Sequence, residues 1–202
     1  EDIKDDLRWA GLNWDSEVKQ SDRIDRYNQV LKTLVEKKLV YPCFETPEEL
    51  SLKRKSQLSS GNPPIYDRSS LKLSTSEMEK LNSEGIKPHF RFLLNHETIY
   101  WEDLVRGECK YNLSNVSDPI LVRNDGRFIY TLASVIDDID FNITHIIRGE
   151  DHVTNSAVQM QIFDVIGSSR PKMAHLSLIT DAKGEGLSKR IGSLSLEDLK
   201  KE

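Results

Sequence analysis

Apolar residues recur at helical spacing in two stretches at the start of the chain. Ile3, Leu7 and Ala10 share one face of a helix over residues 1–12, with Gly11 as its stop. After a turn through Gly11-Leu12-Asn13-Trp14-Asp15, Ser21 or Asp22 caps a second helix. Its stripe is Ile24, Tyr27, Val30, Leu31 and Leu34, and it runs to about Lys38. Val40-Tyr41-Pro42-Cys43-Phe44 reads as a short strand. Thr46-Pro47-Glu48-Glu49 is a helix start: a capping threonine, proline in the first turn, and acids at the positive end of the dipole. Ser59-Ser60-Gly61-Asn62-Pro63-Pro64 is a loop by composition, and Ser74-Thr75-Ser76-Glu77 is a capping box opening a short helix that Gly85 ends.

The period then changes to two. Phe90, Phe92 and Leu94 alternate with His89 and Arg91, and Ile99 and Trp101 repeat the pattern after a turn at Asn95-His96, which predicts a hairpin. Further strands fall at about Cys109–Leu113 and Pro119–Arg123, and the tight-turn signal Asn124-Asp125-Gly126 leads into Phe128–Thr131. Beyond that, helix and strand alternate: helix Leu132–Ile139, strand Ile143–Arg148, helix Val153–Ile166 ended by Gly167, strand Met173–Ile179. Alternation of this kind implies a parallel sheet with right-handed crossovers. The expected fold class is α/β. Residues 128–192 read as half of a doubly wound nucleotide-binding domain, with a mixed α+β insertion, 42–127, ahead of it.

Composition narrows the picture. The 202 residues suit one large domain or two small ones and can bury a real core. A net charge of −5 argues against a basic, non-specific nucleic-acid binder, although a local basic face can still serve an RNA enzyme. Cys43 and Cys109 form no CxxC, so a disulfide framework is not expected and a reducing cytoplasm fits. No run approaches the roughly 18 apolar residues of a membrane span. The opening Glu1-Asp2-Ile3-Lys4 is too acidic for a signal or transit peptide. Helical patterns are cut at both ends, as in a piece of a larger protein.

The stretch richest in chemistry is Asp181–Gly192. Gly184 and Gly186 allow close backbone approach, and Ser188, Lys189 and Arg190 follow with a hydroxyl and two adjacent cations suited to phosphate oxygens. A solvated Gly/Lys surface loop has the same composition. Arg148-Gly149-Glu150-Asp151-His152 sits at a strand end, where open α/β sheets bind ligands, and an arginine there can take a carboxylate bidentately. The competing reading is a surface ion-pair cluster of Arg148 with Glu150 or Asp151. Asp137, Asp138, Glu150, Asp151, His145 and His175 are metal-ligand types, but none sits in a metal-binding motif, and Asp137-Asp138 reads as a solvated helix end. His175 fits a satisfied buried histidine, Leu178 and Ile179 fit core packing or a backbone edge for adenine, and Lys53, Arg54 and Lys55 fit a solvated helix face more readily than a contact with the acceptor end of RNA.

Gly186-Leu187-Ser188-Lys189-Arg190 resembles the KMSKS-type loop of class I aminoacyl-tRNA synthetases, with Gly186 where the family usually has lysine. Asp6-Leu7-Arg8-Trp9-Ala10-Gly11-Leu12-Asn13-Trp14-Asp15, Tyr41-Pro42-Cys43-Phe44, Tyr130–Asp138 and His145–His152 extend the resemblance to the bacterial glutamyl-tRNA synthetases over the whole layout. The resemblance implies a class I Rossmann-like fold in three parts. Residues 1–41 would be the helical end of the first Rossmann half, 42–127 the connective insertion that binds the tRNA acceptor end, and 128–202 the second half with its loop. It implies ATP-dependent activation of L-glutamate and transfer to the 3′ end of tRNA-Glu, with Mg2+ accompanying ATP. Whether tRNA-Gln is charged too is left open.

The implied roles fall on named residues. Lys189, Ser188 and Arg190 would be catalytic; Arg148, Tyr130 and Ser134 would bind glutamate; Leu178, Ile179, Lys189 and Asp151 would bind ATP. No metal site is expected: some relatives hold zinc through a Cys-x-Cys pair and a later cysteine, whereas Cys43 is followed by Phe44-Glu45, and Tyr66-Asp67-Arg68 by Ser69-Ser70. The implied protein is a cytoplasmic monomer with no membrane contact. The family's HIGH-type motif and anticodon-binding part are not in this chain, so these residues alone are expected to be inactive. Two alternatives stand beside this one: a shortened relative that glutamylates a modified tRNA nucleoside, and a non-catalytic RNA-binding piece.

Overall fold

The computed structural model describes residues 2–180 and 200; the segment Asp181–Gly192, with Ser188, Lys189 and Arg190, lies outside the described residues. Packing divides the chain into two units, Ile24–Leu176 and Glu1–Arg23 with Ser177–Glu202. In the smaller unit, helix α1 spans Asp2–Trp9, and Gly11 stops it at φ +74°. Lys4 pairs with Glu17 at 2.7 Å, and Lys200 reaches the Asp6 carboxylate at 2.5 Å while lying over the Trp9 ring. Leu178 and Ile179 belong to this unit and are exposed.

The larger unit begins with α2, Ile24–Glu36, which buries Tyr27, Val30 and Leu34, one face of the expected stripe. Strand β1 is Val40–Cys43. Helices α3, Pro47–Ser59, and α4, Thr75–Ser83, both open with the expected capping boxes. In the first, the Thr46 hydroxyl accepts the Glu49 N–H at 3.2 Å, and the Glu49 carboxylate accepts the Thr46 N–H at 2.8 Å.

The expected hairpin across residues 89–101 does not form. Strand β2, His89–Phe92, has one edge on β1 and the other on β5, Ile120–Val122, all antiparallel. Strand β3, Thr98–Asp103, belongs to another sheet and makes its hairpin with β4, Gly107–Asn112. The physical reason lies in the link. The Leu94 N–H is taken by Asp118 at 3.1 Å, and the Asn95 N–H and C=O are taken by the Gln161 amide at 3.0 and 2.6 Å. Side chains satisfy the backbone groups that a hairpin turn would have paired. The segment after Asn124-Asp125-Gly126 also differs from expectation. The turn is present, with Gly126 at φ +83°, but only Phe128 bridges back to Val122 before α5, Tyr130–Asp140, begins.

Strand β6, His145–Gly149, helix α6, Val153–Ile166, and strand β7, Lys172–Leu176, complete the unit. Gly167 ends α6 in the left-handed region at φ +86°, as expected for a glycine stop. The second sheet runs β4-β3-β7-β6, with β7 parallel to both β6 and β3. Leu132, Val135 and Ile136 of α5 and Ala157, Met160, Ile162 and Phe163 of α6 join Tyr27 and Leu34 of α2 and Met173 of β7 in one apolar core. No helix among the described residues is long and apolar enough to cross a membrane.

Candidate functional site

Arg148 leaves the β6 strand one residue before its end and turns its guanidinium between α5 and α6. Its Nη1 donates to the Tyr130 hydroxyl at 2.9 Å, and its Nη2 donates to Ser156 Oγ at 2.6 Å and Gln159 Oε1 at 2.7 Å. Gln159 in turn donates to Ser134 Oγ at 2.7 Å, and Ser134 donates to the Tyr130 carbonyl one helical turn back. Tyr130 and Ser134 share a face of α5 at i, i+4, and Ser156 and Gln159 share a face of α6 at i, i+3. The structure therefore brings Arg148, Tyr130 and Ser134 together, and adds Ser156 and Gln159, which the motif reading did not single out. Their signal in the sequence is faint but present: polar residues set among the apolar Ala157, Val158, Met160 and Ile162, each buried.

The charge of Arg148 is unmatched in this cluster. The acidic residues of its own motif go elsewhere: Glu150 pairs with Arg106 at 2.5 Å, and Asp151 lies 3.9 Å from His152. The Nε–H is buried without a partner. Asp138, half-buried on α5, has its carboxyl pushed up to about 6. Burial is the main cause, Asp137 adds to it, and the Arg148 charge opposes it. Its neighbour Asp137 accepts the Tyr27 hydroxyl at 2.9 Å, so Asp137-Asp138 is not the solvated helix end that its composition suggested.

Behind Arg148 the bonds continue inward. Ser156 Oγ and His175 Nε2 are 2.5 Å apart, and His175 Nδ1 lies 2.5 Å from Asp103 Oδ2. Asp103 also accepts the backbone N–H groups of Val105, Arg106 and His175, each at 3.1 Å. Burial would raise the Asp103 carboxyl, but the His175 side chain and these backbone donors outweigh it and hold the carboxyl well below the usual carboxylate range.

The region around Cys43 is closed by hydrogen bonds. Glu45 accepts from Tyr66 at 2.8 Å, Ser69 at 2.6 Å, Ser70 at 2.7 Å and Lys53 at 3.1 Å, and the Cys43 thiol is 3.4 Å from the Tyr66 hydroxyl. Burial opposes ionisation of Glu45, yet these donors pull its carboxyl down to about 2. Lys53 is therefore an ion-pair partner of Glu45 and Asp67 rather than part of a solvated face. Among the described residues no group of three His, Cys, Asp or Glu side chains is placed to hold a metal ion.

Comparison with known proteins gives the family. The profile of the family described as tRNA synthetases class I (E and Q), catalytic domain, matches residues 1–202. The chain belongs to this family. Among curated relatives it is 52% identical over 200 residues to glutamate–tRNA ligase 1 of Rickettsia rickettsii, covering 99% of this chain and 44% of that protein. It is 52% identical over 202 residues to glutamate–tRNA ligase of Azospirillum brasilense, covering 100% of this chain and 45% of that protein. The chain thus spans less than half the length of these relatives. Among solved structures, a glutamate tRNA ligase from Elizabethkingia meningosepticum in complex with its amino acid superposes with a TM-score of 0.82 at 32% identity, over 94% of this chain and 41% of that one. The glutamate–tRNA synthetase of Elizabethkingia anophelis superposes with a TM-score of 0.83 at 32% identity, over 94% and 42%. The α/β architecture with its parallel strands is that of a class I, Rossmann-like tRNA synthetase.

Proposed function

We propose that this chain is the central part of a glutamate–tRNA ligase, and that Arg148 binds the side-chain carboxylate of L-glutamate. One observation carries the reading: a part-buried guanidinium held by three neutral oxygens, with no carboxylate at ion-pair distance among the described residues and a buried Nε–H without a partner there. A cation in that position is stabilised by an anionic ligand far more than by neutral dipoles. Tyr130 donates its hydroxyl to the same carboxylate, and Ser134 sets the Gln159 amide beside it. In the overall reaction the α-carboxylate of glutamate attacks the α-phosphate of ATP and pyrophosphate leaves. The 3′-hydroxyl of tRNA-Glu then attacks the acyl carbon and AMP leaves.

Lys189, with Ser188 and Arg190, meets the phosphate charge; Leu178, Ile179 and Asp151 have roles in ATP binding, and Mg2+ arrives with ATP. No zinc takes part. The three-part division at 1–41, 42–127 and 128–202 is the proposed division of labour, with the middle stretch on the acceptor end of the tRNA. The complete protein acts as a monomer, and these residues alone do not activate glutamate, because the HIGH-type half of the ATP site lies elsewhere.

The test is amino-acid-dependent ATP–pyrophosphate exchange by the complete enzyme with tRNA present. An arginine facing glutamine in place of glutamate is left as an unpaired buried cation, an asymmetry on the order of 2–5 kcal/mol. Arg148→Ala is expected to raise the KM for glutamate about a hundredfold, to narrow the preference over glutamine, and to leave the KM for ATP near wild type. Wild-type glutamate kinetics in that variant would refute the assignment.

A further inference from the structure

Resting on the glutamate assignment above, we propose that Asp103, His175 and Ser156 form a buried positioning relay that fixes the Arg148 guanidinium for its ligand. The four residues come from β3, β7, α6 and β6, and lie within hydrogen-bond distance of one another in series. An Asp–His–Ser line of this order elsewhere activates a nucleophile. Here Ser156 is 0% exposed and its oxygen already accepts from Arg148, so it reaches no substrate and serves the arginine instead.

The proton positions follow from the contacts. The Asp103 carboxylate is ionised; its Oδ1 is fixed by the N–H groups of Val105, Arg106 and His175, and its Oδ2 accepts the Trp101 indole N–H at 3.3 Å. It takes the Nδ1–H of His175, whose ring is then left with a lone pair at Nε2. The Ser156 hydroxyl has one hydrogen and two acceptors, Nε2 at 2.5 Å and the His152 carbonyl at 3.2 Å. The shorter contact takes it. That leaves the lone pairs of Ser156 Oγ for the Arg148 Nη2–H at 2.6 Å. In the other tautomer the Nε2–H of His175 would take one of the two lone pairs of that oxygen and turn the Ser156 hydrogen to the His152 carbonyl, leaving Arg148 a single lone pair in a changed orientation. Asp103 therefore sets the tautomer, the tautomer sets the Ser156 hydroxyl, and the hydroxyl sets the arginine. Asp103 closes the β3–β4 hairpin, so that hairpin and the glutamate site are locked together through one carboxylate.

Asp103→Asn is the informative change, because an amide offers N–H to Nδ1 and reverses the tautomer while keeping the shape. Ser156→Ala removes the acceptor at the other end of the line. Both are made in the complete enzyme and assayed by glutamate-dependent ATP–pyrophosphate exchange with tRNA present. A lost hydrogen bond to a charged group corresponds to about a tenfold change or more. Each variant is expected to raise the KM for glutamate by about that factor, with the KM for ATP within about twofold of wild type. Nitrogen-15 NMR of the imidazole is expected to show His175 protonated at Nδ1 in the wild type and at Nε2 in Asp103→Asn. Wild-type glutamate KM in both variants, with a raised KM in Arg148→Ala, overturns the relay and leaves the glutamate assignment standing. Wild-type KM in all three overturns both. If Asp103→Asn does not fold, Ser156→Ala, which deletes one oxygen, decides the matter alone.

Discussion

Arg68 and Arg148 both carry guanidinium groups into the body of the larger unit, and their partners differ in charge. Arg68 sits at φ +56°, a left-handed conformation that few side chains adopt, and closes on Asp118 with Nε and Nη2 bonds of 2.8 Å each. Asp118 is 1% exposed and also accepts the Tyr41 hydroxyl at 2.6 Å and the Leu94 N–H at 3.1 Å. Arg148 meets a tyrosine, a serine and a glutamine. The first arginine is neutralised and holds strands together. The second is oriented by neutral dipoles, and in the proposed function its charge serves the glutamate carboxylate. The number of hydrogen bonds would not separate the two; the charge of the acceptors does.

The largest expected effect is on the paired side. Arg68→Met strands a buried carboxylate, which costs about 3–5 kcal/mol in comparable cases. Urea unfolding of the chain is expected to show a loss of about 3 kcal/mol or more. A loss under about 1 kcal/mol would remove the distinction drawn here.

The next effect tests whether Asp138 is secretly the counter-ion of Arg148. Its folded value of about 6 lies above the roughly 3.9 of an unfolded aspartate, so the fold binds the proton more tightly than the unfolded chain does. That contribution is fully present below about pH 4 and is lost as pH rises through about 6. At pH 7.5 the ionised group is a net cost, so Asp138→Asn is expected to stabilise the chain there by about 1–2 kcal/mol. It is also expected to flatten the pH dependence of unfolding between 4 and 6. Destabilisation at pH 7.5 would mean a true ion pair, and Arg148 would then resemble Arg68.

The smallest effect is the mirror of the first. Arg148→Met removes a cation that no carboxylate among the described residues meets at ion-pair distance, and its stability is expected to stay within about 1 kcal/mol of wild type. A loss as large as that of Arg68→Met would show that Arg148 is architectural.

Local grammar made much of this fold legible. Helix α6 can be read to the residue, because its apolar run ends at a glycine whose φ of +86° fits no other residue well. The two capping boxes are visible because each is complete within four residues. The pairing of β2 and β3 was not legible. An alternating pattern identifies a strand without naming its partner, and here Asp118 and Gln161, distant in sequence, occupy the link between them. The site divides in the same way. Tyr130, Ser134 and Arg148 stand in recognisable motifs, whereas Ser156, Gln159, His175 and Asp103 matter through contacts spanning up to 72 residues of separation. No short window of sequence contains such a contact.

The strand order has a consequence for how the protein is made. Strand β7 lies between β3 and β6 in its sheet, yet among the described strands it is the last in chain order. During synthesis the β3–β4 hairpin leaves the ribosome with one edge open, and its partner at Met173 follows some 70 residues later. At about 5–20 residues per second, that edge waits for several seconds. Until β7 slots in, Asp103 has no histidine and the nascent sheet has a bare seam, an edge open to pairing with other chains.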